Sequence, residues 1–197
     1  MAAATAMFVE VLVVGIGTLT AAVLLLVAVI GPATTAKLSP VSGSSLVAGV
    51  ALAASYALGI LIDRAADTVL TPQRRRLRTR YFPSHSAYAE ARLRLAAHPA
   101  LAARADYARS RMRICRGWVF NSMALTLAAD LAMLRYSFEH RTLTLAATSL
   151  LGAVTAFGFH RAWRALTMTG YRKLAEQMLP TVSAPVPAQP QPDTALP

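Results

Sequence analysis

Four long, nearly uninterrupted apolar stretches constrain this chain more than any other feature. They run over about 7–30, 46–62, 114–136 and 142–159. Crossing about 30 Å of hydrocarbon takes roughly 20 helical residues at ~1.5 Å each, and each stretch is close to that length. Inside a bilayer the backbone must satisfy its own hydrogen bonds, so an apolar run of this length resolves into a helix. The expected fold is therefore all-α: an integral membrane four-helix bundle of two transmembrane hairpins, with a helical basic segment on the cytoplasmic side. With 55% hydrophobic residues in 197, the chain has little room for a separate soluble domain.

The order of segments follows from the breakers between them. Residues 1–63 form the first transmembrane hairpin. A secretory signal would carry a basic start and a shorter apolar core. No Lys or Arg precedes Lys37, so Met7 to Ile30 reads as a retained span. Glu10, in the first turn of that span, is expected to favour the helix N-terminus and reach the interface. Gly31 to Ser45, rich in Gly, Pro, Ser and Thr, reads as a loop. In the second span Ser45, Gly49, Ala53 and Ala57 recur every fourth position, which predicts close helix packing on that face.

Asp63 to Asp67 is expected to end the second helix at the membrane surface, with Thr71-Pro72 stopping or bending it. Residues 64–113 form the basic helical segment, with a helix from Ser84 to His98 and the next starting near Ala100. The second hairpin occupies 114–163, its spans joined by the polar turn Ser137-Phe138-Glu139-His140-Arg141. A juxtamembrane helix follows over 164–179, and 180–197 is a Pro-rich, nearly uncharged tail expected to be disordered. Trp118, Tyr136 and Trp163 lie near span ends, as interfacial aromatics do.

Charge sets orientation. The net charge is +11, and 18 of the 20 basic residues are Arg. Twelve of these arginines fall between Arg64 and Arg113, while His160 to Lys173 adds Arg161, Arg164, Arg172 and Lys173. The positive-inside bias then places both termini and the basic segment in the cytoplasm, a parity that four spans satisfy. The Arg-rich, Lys-poor composition points to a GC-rich bacterial genome, and the expected location is the cytoplasmic (inner) membrane.

Few residues carry recognisable chemistry. Asp130 lies inside the third span, where an ionised carboxylate costs at least ~2.5–3.5 kcal/mol to insert. Folding the hairpin about Glu139 brings Thr148 and Ser149 to its depth, which predicts a hydrogen bond from one of these hydroxyls to Asp130. The functional alternative is an ion or proton site. Asn121 lies about 180° round the helix from Asp130 and is expected to bond across helices or to another subunit. Arg116 is expected to extend its stem to the cytoplasmic headgroups.

Asp63 and Asp67 share a helix face at the cytoplasmic boundary. The spacing suits salt bridges to nearby arginines, or a divalent cation held against a lipid phosphate. Certain lipid phosphotransferases use more acidic residues together with glycine and arginine, and this chain has only the Asp-x-x-x-Asp fragment. Arg74, Arg75, Arg76, Arg78 and Arg80, with Arg111, Arg113 and Arg116, are candidate lipid or partner contacts. Tyr81 and Phe82 fit an interfacial anchor better than a base-stacking platform, and no nucleic-acid motif accompanies the arginines.

One cysteine, Cys115, excludes an intramolecular disulfide, and the four histidines show no ligand spacing. No hydrolase, phosphate-loop or redox motif occurs, so no catalytic residue, cofactor or metal is expected. The leading expectation is a non-enzymatic accessory or effector subunit whose basic region binds anionic lipid or a partner membrane protein, and which self-associates through its spans. One alternative is an oligomeric channel or transporter subunit with Asp130 on the path. Another is a cytoplasmic-face lipid-modifying enzyme using Asp63 and Asp67.

Overall fold

The computed structural model describes residues 2–38, 44–136 and 140–177. These form α1 (Ala2–Ile30), α2 (Pro32–Leu38), α3 (Ser45–Arg78), α4 (His85–Ala96), α5 (Pro99–Arg135) and α6 (Arg141–Glu176), with no strand among the described residues. α1, α3, α5 and α6 are long and apolar enough to cross a membrane. The described residues are thus all-helical, as the apolar blocks require. Ser137, Phe138 and Glu139 of the expected turn, and the tail from 180 to 197, lie outside the described residues.

Local chemistry explains most helix ends. Gly31 takes a left-handed backbone (φ 77°) that closes α1, and its N–H donates to the Val27 carbonyl at 3.1 Å. Pro32 then opens α2 at the position where a missing N–H costs nothing. The segment read as a loop therefore contains a short helix, fastened where the Thr35 hydroxyl donates back to the Gly31 carbonyl at 2.8 Å. Ser44 caps α3 and Ser84 caps α4, their hydroxyls accepting from Val47 N–H at 3.3 Å and Ala87 N–H at 3.1 Å.

Two expected boundaries are absent. α3 does not end at Asp63–Asp67 but passes through Pro72 to Arg78. Pro72 removes one backbone hydrogen bond, yet Asp67 and Arg74 pair across it at 2.9 Å and Leu70 and Leu77 are buried on either side. Tertiary anchoring on both flanks overrides the local break. Likewise, the fourth span and the juxtamembrane segment form one continuous helix, α6: no proline falls where the hydropathy drops, and Gly158 at that point is carried within the helix. At 37 residues α5 is about 55 Å long, so it extends well beyond a ~30 Å hydrocarbon layer.

α1 lies between α3 and α5. It runs antiparallel to α3, with Gly15 against the Ser55 carbonyl and Gly59 against the Val11 carbonyl. A Cβ at either glycine would overlap that carbonyl oxygen, so the two backbones meet there without side chains between them. The small residues that matter are thus Ser55 and Gly59, which are buried. The expected face of Ser45, Gly49, Ala53 and Ala57 is exposed, with nothing near Gly49. Both faces have four-residue spacing, so spacing alone did not distinguish them.

α1 and α5 run parallel, with Val14 over Gly117, Thr18 beside Asn121 and Val27 beside Tyr136. α6 covers the opposite side of α5 antiparallel to it, with Trp118 stacked on Phe159 (5.8 Å between centroids). α3 reaches α5 and α6 at one end of the assembly, through Asp63 and Asp67 to Arg116 and through Gln73 to His160 at 3.3 Å. Trp163 is 3% exposed and lies tilted beside the His160 ring, so it is a packing residue, not an interfacial anchor.

Candidate functional site: an ion-paired core beneath an arginine-rich surface

Where α3 meets α5, the chain concentrates its buried charge. The Arg116 side chain is 11% exposed, and its guanidinium donates to carboxylate oxygens of both Asp63 and Asp67. Arg74 adds a second cation to Asp67. Four residues apart on a helix, the two carboxylates lie on one face, one turn above the other, and a single planar fork spans them. Arg116 therefore does not extend to the headgroups. Two carboxylates close by offer a desolvated guanidinium more than the interface does. A divalent cation at Asp63 and Asp67 would have to displace Arg116 from both.

A second polar contact lies nearby, between α1 and α5. Glu10 is 9% exposed and accepts a hydrogen bond from the Ser110 hydroxyl, while its Oε2 is buried with no hydrogen-bond partner among the described residues. Helix α1 begins at Ala2, so Glu10 lies deeper than the first turn and turns onto α5. Further along the same interface Asn121 is 1% exposed. Its amide donates to the Val14 carbonyl at 2.7 Å, and its oxygen accepts from Thr18 at 2.9 Å. Of the two partners expected for Asn121, the structure provides the neighbouring helix.

Asp130 lies apart from these residues. The Ser149 hydroxyl donates to its Oδ2 at 2.7 Å, which is the hydrogen bond the hairpin register predicts. Thr148 instead points at the Met133 sulfur, 3.9 Å away. Asp130 Oδ1 is buried without a partner among the described residues. A groove of about 280 Å³ does exist between α1 and α5, lined by Leu25, Ala28, Val29, Leu131, Leu134 and Arg135, and Asp130 is not part of it.

The turn between α3 and α4 is fixed by aromatic packing. Phe82 is buried edge-on against Tyr88 (5.3 Å) and Tyr171 (6.4 Å), Tyr81 lies 6.5 Å from Tyr171, and the Arg78 guanidinium covers the Tyr88 ring at 5.2 Å. Tyr81 and Phe82 thus bind the turn to α6 instead of anchoring it in an interface. Burial pushes the Tyr171 phenol above its ordinary value, helped by Tyr88 and opposed by Arg74 and Arg78. No sequence motif marks this cluster. Its signal was only that Tyr81, Phe82, Tyr88 and Tyr171 are aromatic residues among arginines.

Around this aromatic latch between the α3–α4 turn and α6, the arginine surface is largely unpaired among the described residues. Asp63, Asp67, Glu90, Asp106 and Glu176 are each engaged by an arginine: Arg116, Arg74, Arg94, Arg109 or Arg172. Arg75, Arg76, Arg80, Arg92, Arg104 and Arg164 are exposed and have no carboxylate partner among the described residues. Of the candidate contacts, Arg74, Arg78 and Arg116 are committed to intramolecular partners. Arg111 is exposed with its guanidinium over Tyr107 at 5.8 Å, and Arg113 is half-buried.

Fold and site together define a chain whose described residues are helical, with four helices long and apolar enough to cross a membrane and a strongly cationic region where α3, α4, α5 and α6 meet. Comparison with protein-family models, with curated proteins and with solved structures returned no match.

Proposed function

We propose that this chain is a multi-pass protein of the cytoplasmic (inner) membrane, built as two transmembrane hairpins with both termini and α4 on the cytoplasmic side. It acts without catalysis, as an accessory or effector subunit whose arginine surface docks onto anionic lipid headgroups beside the bundle. The observation that carries this reading is the surplus of exposed arginines. The nearby carboxylates among the described residues are already engaged by other arginines, which leaves Arg75, Arg76, Arg80 and Arg164 to meet external anions. The aromatic latch supports the same reading, since it displays Arg75, Arg76 and Arg80 on a fixed corner.

Each basic side chain near an anionic surface contributes about 1 kcal/mol, so replacing Arg75, Arg76 and Arg80 by Gln removes about 3 kcal/mol, roughly a 100-fold loss of affinity. Native mass spectrometry of the detergent-solubilised protein, titrated with anionic and zwitterionic lipids of the same chain length, measures this directly. Wild type is expected to retain anionic lipid preferentially, with the preference falling at high salt and in the triple variant. Equal retention of both lipids by wild type contradicts the proposal.

A further inference from the structure

The proposed function concerns one membrane face, whereas the α1–α5 groove lies at the other end of these helices. There α1 closes at Gly31 and α5 at Arg135, so the two helix ends are level. Leu25, Ala28, Val29, Leu131 and Leu134 give the groove an apolar wall of about 280 Å³, and Arg135 stands at its mouth. Ala28 is buried at the base, whereas Val29 on the rim is 70% exposed. In a bilayer such a wall faces acyl chains, and the helix ends approach headgroup depth.

The Arg135 guanidinium lies over Gly31, its Nη2 3.6 Å from where a glycine Cβ would be. It is not needed to cap α1 at Val27, whose carbonyl already accepts from Gly31 N–H at 3.1 Å and from the Tyr136 hydroxyl at 3.2 Å. Arg135 is exposed and pairs with no carboxylate among the described residues. An apolar channel capped by a guanidinium with no carboxylate partner among the described residues matches a lipid with an acyl chain beside a phosphate. Guanidinium presents a donor fork that suits phosphate oxygens. No carboxylate of the described residues lines the groove to hold an ammonium, so a net-anionic headgroup is favoured over a zwitterionic one.

We propose that the groove of Leu25, Ala28, Val29, Leu131 and Leu134 seats one acyl chain of an anionic phospholipid in the leaflet opposite the basic segment, with Arg135 holding its phosphate. This inference rests on the membrane-spanning reading but not on lipid binding by the basic segment.

The test uses full-length protein carrying Arg75→Gln, Arg76→Gln and Arg80→Gln, which removes cytoplasmic binding from view. Native mass spectrometry then counts bound phosphatidylglycerol against phosphatidylethanolamine of identical chains, with inorganic phosphate as a third arm. One phosphatidylglycerol is expected to remain bound. Arg135→Gln should reduce its preference over phosphatidylethanolamine at least tenfold, and Val29→Trp, which blocks the rim without entering the core, should reduce retention of both lipids. The proposal is overturned if the background protein keeps no lipid, if Arg135→Gln keeps the preference, or if Val29→Trp binds as before. Saturation by inorganic phosphate alone overturns it in favour of a simple anion site. A doubled mass that excludes lipid overturns it in favour of a second copy in the groove. Loss of the groove lipid with cytoplasmic binding intact in wild type refutes this inference and leaves the proposed function standing.

Discussion

Replacing Arg116 by Met should be among the most damaging single changes in this protein. Its side chain is 11% exposed and holds Asp63, whose side chain is 22% exposed, and Asp67, at 35%. Removing one partner of a buried ion pair costs about 3–5 kcal/mol, because the remaining charge is stranded away from water. Asp67 keeps Arg74 at 2.9 Å and is about one-third exposed, so its share is discounted, and most of the loss comes from Asp63. A destabilisation of about 3 kcal/mol follows, near the lower end of that range. For a chain of this length it corresponds to a fall of roughly 6–12 °C in Tm.

The assay is thermal unfolding in mild detergent, followed by circular dichroism on wild type, Arg116→Met, Asp63→Asn and the double variant. Asp63→Asn on the Arg116→Met background should recover about 2 kcal/mol, because it removes the stranded charge. Arg116→Lys should fall between wild type and Met, since an ammonium cannot span both carboxylates. If Arg116→Met melts within 1–2 °C of wild type, a shift of well under 1 kcal/mol, or if the two losses simply add, the buried cluster is not what joins α3 to α5.

Three further outcomes follow from the geometry. Asn121→Ala removes the bonds to the Val14 carbonyl and Thr18, and should cost about 1–2 kcal/mol by the same melt, within the span observed for polar contacts between membrane helices. Ser149→Ala strips Asp130 of its hydroxyl partner and should cost about 1–3 kcal/mol, whereas Asp130→Asn keeps an acceptor for Ser149 and should be tolerated; a double-mutant cycle without coupling contradicts the contact. The Tyr171 phenol is raised by burial, so the folded state binds that proton more tightly than the unfolded chain. Its contribution to stability is complete below the usual phenol pKa of about 10 and is lost as pH rises through the raised value. Ultraviolet titration should show a late-ionising component that disappears in Tyr171→Phe.

Features set by segment length and by covalent geometry could be read from the sequence. Four helices of spanning length follow from the apolar blocks, and Ser84 and Pro99 mark real helix starts because capping and proline chemistry act locally. The hydrogen bond from Ser149 to Asp130 was legible for a similar reason, since hairpin register is counted along the chain. Features set by tertiary contact were not. Pro72 reads as a break until Asp67, Arg74, Leu70 and Leu77 are seen holding the helix on both sides of it. Arg116 reads as a snorkelling side chain until Asp63 and Asp67 are opposite it. The choice between Gly49 and Gly59 as the packing position depended on the face α1 occupies, and both lie in equally small-residue patterns.

The central claim is that four helices cross the bilayer with the arginine-rich end on one side. Single cysteines on a Cys115→Ser background test it most directly: Ser86→Cys on α4, Thr34→Cys on α2 and Thr142→Cys at the start of α6, all exposed positions. They are labelled with a membrane-impermeant maleimide in intact cells and again after permeabilisation. The account predicts labelling of positions 34 and 142 from outside in intact cells, and of position 86 only after permeabilisation. Labelling of position 86 in intact cells, or recovery of the chain in the soluble fraction without detergent, contradicts it.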